Sequence, residues 1–574
     1  MSAIFDFLVN LWRFARNTLV GLLGRAPGFV WIEVGGTLPE FETPVGFVRK
    51  RLTRGPSPLT LQSLRERLAR ISADGRPRGV VLRLRDVEAG WASLEEAREE
   101  LLEFRSGGGR VVAYLSDPVD TRSYYLATAA DEILAAPLVT VGVTGVRTRV
   151  SFFKDALERL GIGAEVVAVS PYKSAGETFT RNDFSAEARE QAQRLLDGRY
   201  EELVRAVAGA RGLTPAEARE KIDRAPYGAE EAVAARLVDG VCYEDELAAR
   251  LAGNGDRVRL AEWGAARKSL KAPYRRRSRR RVGMVQVSGT IMRGRSRKVP
   301  IPLPFLGGER AGSESVVAAL RGAEGNGRVA AVILHVESPG GDALASDLIW
   351  REVQRISARK PVVVLMGNVA ASGGYYVSAP AAHVVSRRTT VTGSIGVITI
   401  RPYADRLYEK LGVNPVGLER GGGPGSWTQA GVPRRTSWRC SKARSGASTT
   451  SSRPGCRAAG TCPTSKASSA AGSGAAPRRS SAASSTMSAV SGGRFGRPAS
   501  SAASRRGRRT SWRESQSRVR AGPRPRIPPT FSGRSWRRCG GRSSSSPAGC
   551  GRWGRTGSPM TDSILRSETC GREI

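Results

Sequence analysis

Residues 361–379 read PVVVLMGNVAASGGYYVSA. The run 362–366 is apolar and β-branched, the pattern of a short buried strand. Gly367 and Asn368 turn the chain toward Ala370, Ala371, Ser372, Gly373 and Gly374, and residues 375–379 carry helix-compatible spacing. A serine among Ala and Gly at a strand-to-helix turn is well placed to be a nucleophile. Small neighbours admit a substrate backbone, and a helix N-terminus offers free N–H groups to developing negative charge. Taken alone, the stretch fits a Gly/Ala-rich turn with a capping serine equally well.

The same grammar occurs about 250 residues earlier. VVVLMGNVAASGGYYVSAPAAHVV (362–385) answers VVAYLSDPVDTRSYYLATAADEIL (111–134). VAAVILHVESPGG (329–341) answers RGVVLRLRDVEAG (78–90), and VGMVQVSGTI (282–291) answers VWIEVGGTL (30–38). YADRLYEKLGV (403–413) answers SFFKDALERLGI (151–162). Strands are expected over 29–35, 79–84 and 111–115, and helices over 59–73, 95–104, 121–129, 152–160, 185–211, 214–223 and 228–238. This βα alternation predicts an α/β protein made of two copies of one fold. In the first copy Thr121 stands near the serine position, and Asp86-Val87-Glu88-Ala89 replaces the turn Ser338-Pro339-Gly340-Gly341. Only the second copy keeps the nucleophile.

The net charge of +39 over 574 residues would ordinarily suggest nucleic acid. Its distribution argues otherwise. Residues 421–574 hold only four acidic side chains, Glu514, Asp562, Glu568 and Glu573, and six of the seven cysteines. This segment is Arg/Ser/Ala/Gly/Pro-rich and lacks apolar periodicity, which predicts disorder. It resembles a GC-rich reading frame translated out of register, with a frameshift near 418–435. Its basic charge is then no guide to partners, and no nucleic-acid partner is expected. The rest of the chain has one cysteine, Cys242, so neither a disulfide framework nor a cysteine metal site is expected there. Of the two histidines, His335 lies in an apolar run and reads as packed. A Ser-His mechanism would have to use His383.

Residues 3–23 place Ile4, Phe5, Leu8, Trp12, Leu19, Leu22 and Leu23 on one helical face, with Asp6, Asn10, Arg13 and Asn17 on the other. The pattern is too interrupted for a comfortable span and predicts an interfacial membrane helix. Packing on the protein's own core or on a partner subunit is the alternative. A basic linker with the run Arg275–Arg281 follows the first copy, and a solvated face or an acidic surface would suit it. The loop VPIPLPFLGG (299–308) is apolar without periodicity and reads as a substrate-facing or membrane-facing lip.

Ser338-Pro339-Gly340-Gly341, the run from Met366 to Tyr375, and Thr392-Gly393-Ser394-Ile395-Gly396-Val397 together resemble the signal peptide peptidase A family. The duplication resembles its long form, protease IV. Tyr172-Lys173-Ser174-Ala175, followed by Glu177, Phe179 and Arg181, is similar to that family's lysine motif. The resemblance spans roughly residues 30–415. It implies tandem Clp protease/crotonase-like repeats, a membrane-associated homo-oligomer, and Ser–Lys hydrolysis of cleaved signal peptides and similar membrane peptides. It also implies an inner-membrane location, with catalytic domains facing the periplasm or outside of the cytoplasm. By resemblance Ser372 is the nucleophile, Lys173 the base and Ser394 the group that orients the lysine. The N–H groups of Gly340 and Gly341 would form the oxyanion hole. No metal or cofactor is called for.

The expected organisation is a membrane-associating segment (1–28), a repeat supplying the lysine (29–253), a basic linker (254–281), an incomplete repeat supplying the serine (282–420) and a disordered tail (421–574). Two other readings stay open: a catalytically inactive truncated relative or scaffold, and a crotonase-type acyl-CoA enzyme. The latter would leave the pairing of Ser372 with Lys173 unexplained.

Overall fold

The computed structural model describes residues 2–23, 26–41, 59–253, 257–275, 280–299, 308–418 and 420, with two short strands, Gly474–Ala475 and Met487–Ala489. All of them belong to one unit, Met1–Ser517. The remainder of the 421–574 tail and most of the 299–308 lip lie outside the described residues.

Helix α1 (Ser2–Leu23) precedes a parallel sheet built from β1 (Phe29–Gly36), β2 (Gly79–Val87), β3 (Arg110–Leu115) and β4 (Glu132–Ala135). Short strands Gly240–Val241 and Leu260–Glu262 close its two edges. Three crossover helices connect the strands: α2 (Leu61–Asp74), α3 (Trp91–Ser106) and α4 (Thr121–Ala127). Each begins at or within a few residues of its expected start. The strands are Val/Leu/Ile-rich on both faces because parallel strands are covered on both sides. Val30, Ile32, Val80, Leu82, Val111 and Ala113 are fully buried against the helices. Phe29, Trp31, Val81 and Tyr114 form a smaller cluster on the opposite face. Beyond the sheet run β5 (Gly163–Ala168) and the long helix α5 (Ala186–Arg211).

The second sheet repeats the plan. β6 (Arg281–Ser288), β7 (Val329–Ser338), β8 (Val362–Ala371) and β9 (His383–Ser386) pair in parallel, with helices α6 (Ser313–Gly325), α7 (Ala343–Ser357) and α8 (Gly373–Ser378). β10 (Val391–Gly393) pairs with the end of β8, and β11 (Ile398–Tyr403) follows. Its core is separate, with Val332, Leu334, Val336, Ile349, Val353 and Val364 fully buried. The chain is thus mixed α/β, with two parallel sheets built on the same plan.

Two expectations change. The segment expected as a linker is partly folded. Leu260–Glu262 adds to β1 and Trp263–Ser269 is a helix, so the first repeat reaches past residue 253. An apolar strand edge and Trp263 give this stretch something to bury, which its basic composition obscured. The tail expected to be disordered also contributes two short strands to the second sheet. Met487–Ala489 pairs in parallel with β9, and Gly474–Ala475 pairs with β10.

Candidate active site

β8 ends in the elbow that holds Ser372. Its backbone sits at φ 53°, ψ −115°, outside the regions that L-residues favour. Such strain persists only where surroundings impose it. Here the Ser372 N–H donates to the Gly393 carbonyl at 2.8 Å, and its own carbonyl accepts from Tyr376 N–H at 2.9 Å. The elbow lifts the hydroxyl out of the strand, free of the helix that follows.

Lys173 comes from the other repeat. β5 pairs antiparallel with β11, from Gly163 opposite Tyr403 to Ala168 opposite Ile398. This ribbon joins residues about 230 positions apart in sequence and delivers the turn after β5 to the turn before β11. Lys173 Nζ lies 2.8 Å from Ser372 Oγ, 3.0 Å from Ser394 Oγ and 2.5 Å from the Ser394 carbonyl. All these groups belong to one chain. The lysine is 5% exposed, and burial lowers its amine from 10.5 to about 8. The cause is desolvation of the ammonium. A neutral amine has two N–H donors and one lone pair. The two donors suit the Ser394 oxygens, which leaves the lone pair for the Ser372 hydroxyl.

The Ser338-Pro339-Gly340-Gly341 turn packs against the elbow. Gly340 has φ 100°, and a Cβ there would lie 2.7 Å from Gly373 N and 2.8 Å from Ser372 Cβ, so glycine is required. Its N–H donates to Ser338 Oγ at 3.1 Å and shapes the turn from within. Ile291 clamps the turn, donating to the Gly340 carbonyl at 2.9 Å and accepting from Asp342 N–H at 2.9 Å. A Cβ on Gly373 would lie 3.3 Å from Gly341 N, so the backbone of the turn and that of the elbow run side by side. Gly373 is the first residue of α8, where helix geometry provides no acceptor for its N–H. The sequence reading passed over Gly373, although its position directly after the nucleophile was the available signal.

The histidines do not join the site. His383 pairs with Val363 at the start of β8, the far end of the strand from Ser372. His335 is buried within β7, and burial pushes it down to about 4.

Comparison with known proteins agrees with this layout. Residues 103–257 and 354–428 match peptidase family S49, and the two segments carry Lys173 and Ser372 respectively. Over these two segments the chain is similar to peptidase family S49. Chloroplastic serine protease SPPA of Arabidopsis thaliana is 32% identical over 384 residues, covering 64% of this chain and 54% of the relative. Protease 4 of Haemophilus influenzae is 31% identical over 361 residues, covering 60% and 57%. A putative signal peptide peptidase SppA of Enterococcus faecium is 40% identical over 94 residues, 16% of this chain and 27% of that protein. The chain therefore spans little more than half the length of the longer relatives it matches.

Proposed function

We propose that this chain is a serine endopeptidase of the S49 kind, with Ser372 as nucleophile and Lys173 as general base. The observation that carries the reading is the 2.8 Å approach of a desolvated lysine amine to a hydroxyl on a strained elbow. As Ser372 Oγ attacks a peptide carbonyl, its proton passes to Lys173 Nζ. The Gly341 and Gly373 N–H groups take up the oxyanion, while Gly340 holds the turn. Lys173 then gives the proton to the leaving amine, and the acyl-enzyme is hydrolysed by the reverse transfers with water. Ser394 fixes the amine in place through both of its oxygens.

The substrates proposed are cleaved signal peptides and similar membrane peptides, met at a membrane surface by a homo-oligomer facing the periplasm or outside of the cytoplasm. The name of the Enterococcus relative and the apolar face of α1 support this. Phe5, Phe7, Leu8, Leu11, Trp12, Phe14 and Leu22 are all more than half exposed. No helix among the described residues is long and apolar enough to cross a membrane, so the proposed attachment is interfacial.

The test is turnover of a fluorogenic apolar peptide. Ser372→Ala and Lys173→Ala should each lower kcat by about 10³-fold or more while the fold persists. Near-normal turnover by either variant would refute the assignment.

A further inference from the structure

The ladder between β7 and β8 breaks just before the two turns of the site. Val336 pairs with Met366 and Ser338 with Ala370, so Gly367, Asn368 and Val369 face the single residue Glu337. A bulge of this kind takes backbone groups out of the ladder, and buried N–H groups need acceptors. The Glu337 side chain supplies them. Its carboxylate accepts from Asn368 N–H at 2.6 Å, Val369 N–H at 3.3 Å and Asn368 Nδ2 at 3.2 Å. A Cβ on Gly367 would lie 2.1 Å from Glu337 Oε2, so only glycine lets the carboxylate lie against β8. Ser338, which shapes the Gly340 turn, follows Glu337 directly, and Ser372 lies three residues beyond Val369.

We propose that Glu337 is a positioning residue whose carboxylate spans the bulge and fixes the Gly340–Gly341 turn against the Ser372 elbow. The inference rests on the peptidase reading above. An ionised carboxylate accepts at both oxygens, whereas a protonated one turns an O–H toward these N–H donors. Burial raises Glu337 above the ordinary carboxylate range, and the Asn368 and Val369 N–H groups oppose that rise. Among the neighbouring groups His335, pushed down to about 4 by burial, also titrates on the acid side, so the Glu337→Gln variant separates the two. His335 on β7 is buried and touched edge-on by Phe41. Asn368 on β8 and Ser93 on α3 are uncharged. Glu95 of α3 faces the Arg388 and Thr389 N–H groups, and Arg387 faces Glu96 and Glu99.

The test is the pH dependence of kcat/KM for the full chain and for Glu337→Gln, with thermal unfolding of both and phosphonate labelling of the wild type. On the acid side of Lys173, log(kcat/KM) should rise with a slope of one. It should steepen to two where Glu337 also takes a proton. Glu337→Gln should lower kcat about tenfold with KM little changed, keep a slope of one throughout and unfold at the wild-type temperature. Wild-type kcat and slopes in the variant would overturn the proposal. A single slope in the wild type would do the same, and decides the matter even where the variant fails to fold. Failure of a serine-directed phosphonate to label wild-type Ser372 would instead sink the peptidase reading beneath it.

Discussion

A lysine proposed to act as a neutral base is held at a cost. The drop from 10.5 to about 8 corresponds to roughly 3 kcal/mol against folding below pH 8. Between about pH 8 and 10.5 the unfolded chain binds more protons at this residue than the folded one, so stability from Lys173 rises across that window. Activity should likewise climb as pH rises through about 8. Lys173→Met should therefore abolish turnover yet raise stability at pH 7 by about 1–3 kcal/mol, read from urea unfolding. Unchanged or lower stability would contradict a desolvated amine. Ser394→Ala should cost less activity than loss of Lys173 and displace the rise near pH 8. An unmoved profile would mean that Ser394 does not hold the amine. Ser372 stood out as a candidate from its small neighbours at a strand end, where a capping serine read equally well until the other motifs were joined to it. Lys173 did not: a single lysine ordinarily reads as surface, and only the motif around it marked it out. The glycine turn was marked as a group by resemblance, with the Gly340 N–H expected in the oxyanion hole, whereas that N–H donates to Ser338 Oγ. Which N–H faces inward was not legible, since that depends on Ser338 Oγ taking the one from Gly340.

The elements that assemble the site were legible one by one, from apolar runs and βα spacing, but their junctions were not. The β5–β11 ribbon joins residues whose separation leaves no periodic trace. Helix α3 is a second case. Its N-cap is Gly90, which has no side chain, and Asn368 of the other repeat supplies the cap instead. Asn368 Oδ1 accepts from Ser93 N–H at 3.0 Å, and its Nδ2 donates to Ser93 Oγ at 2.8 Å. Asn368→Ala should cost about 1 kcal/mol of stability in urea unfolding. A neutral result would deny the cap. The amphipathic pattern of α1 was plain in the sequence, but the holder of its polar face was not. Asn10 and Asn17 each exchange two hydrogen bonds with the backbone of Arg275 and Ala272, and Arg16 donates to the Lys268 and Leu270 carbonyls. The apolar face is left outward. In liposome flotation the full chain should rise with anionic vesicles, and a chain beginning at residue 26 should stay behind. Equal flotation of both would reject α1 as the anchor.

At the scale of the whole molecule, one fold occurs twice and one site arises from both copies. The duplication was visible in the paired segments, as was the loss of the first copy's own serine and glycine turn. The extent of the first repeat was not, because basic residues disguised a strand and helix between 260 and 269. Because Lys173 and Ser372 meet within a single chain, co-expressing Ser372→Ala with Lys173→Ala should restore no turnover. Recovered activity would mean that the pair forms between protomers. The most direct measurement of the central claim is the rate at which a serine-directed phosphonate modifies the protein, followed by intact mass and peptide mapping across pH. The account predicts one adduct, on Ser372, forming faster as pH rises through about 8 and not forming in Lys173→Ala. An adduct at another residue, or equal labelling of Ser372 with Lys173 absent, would contradict it.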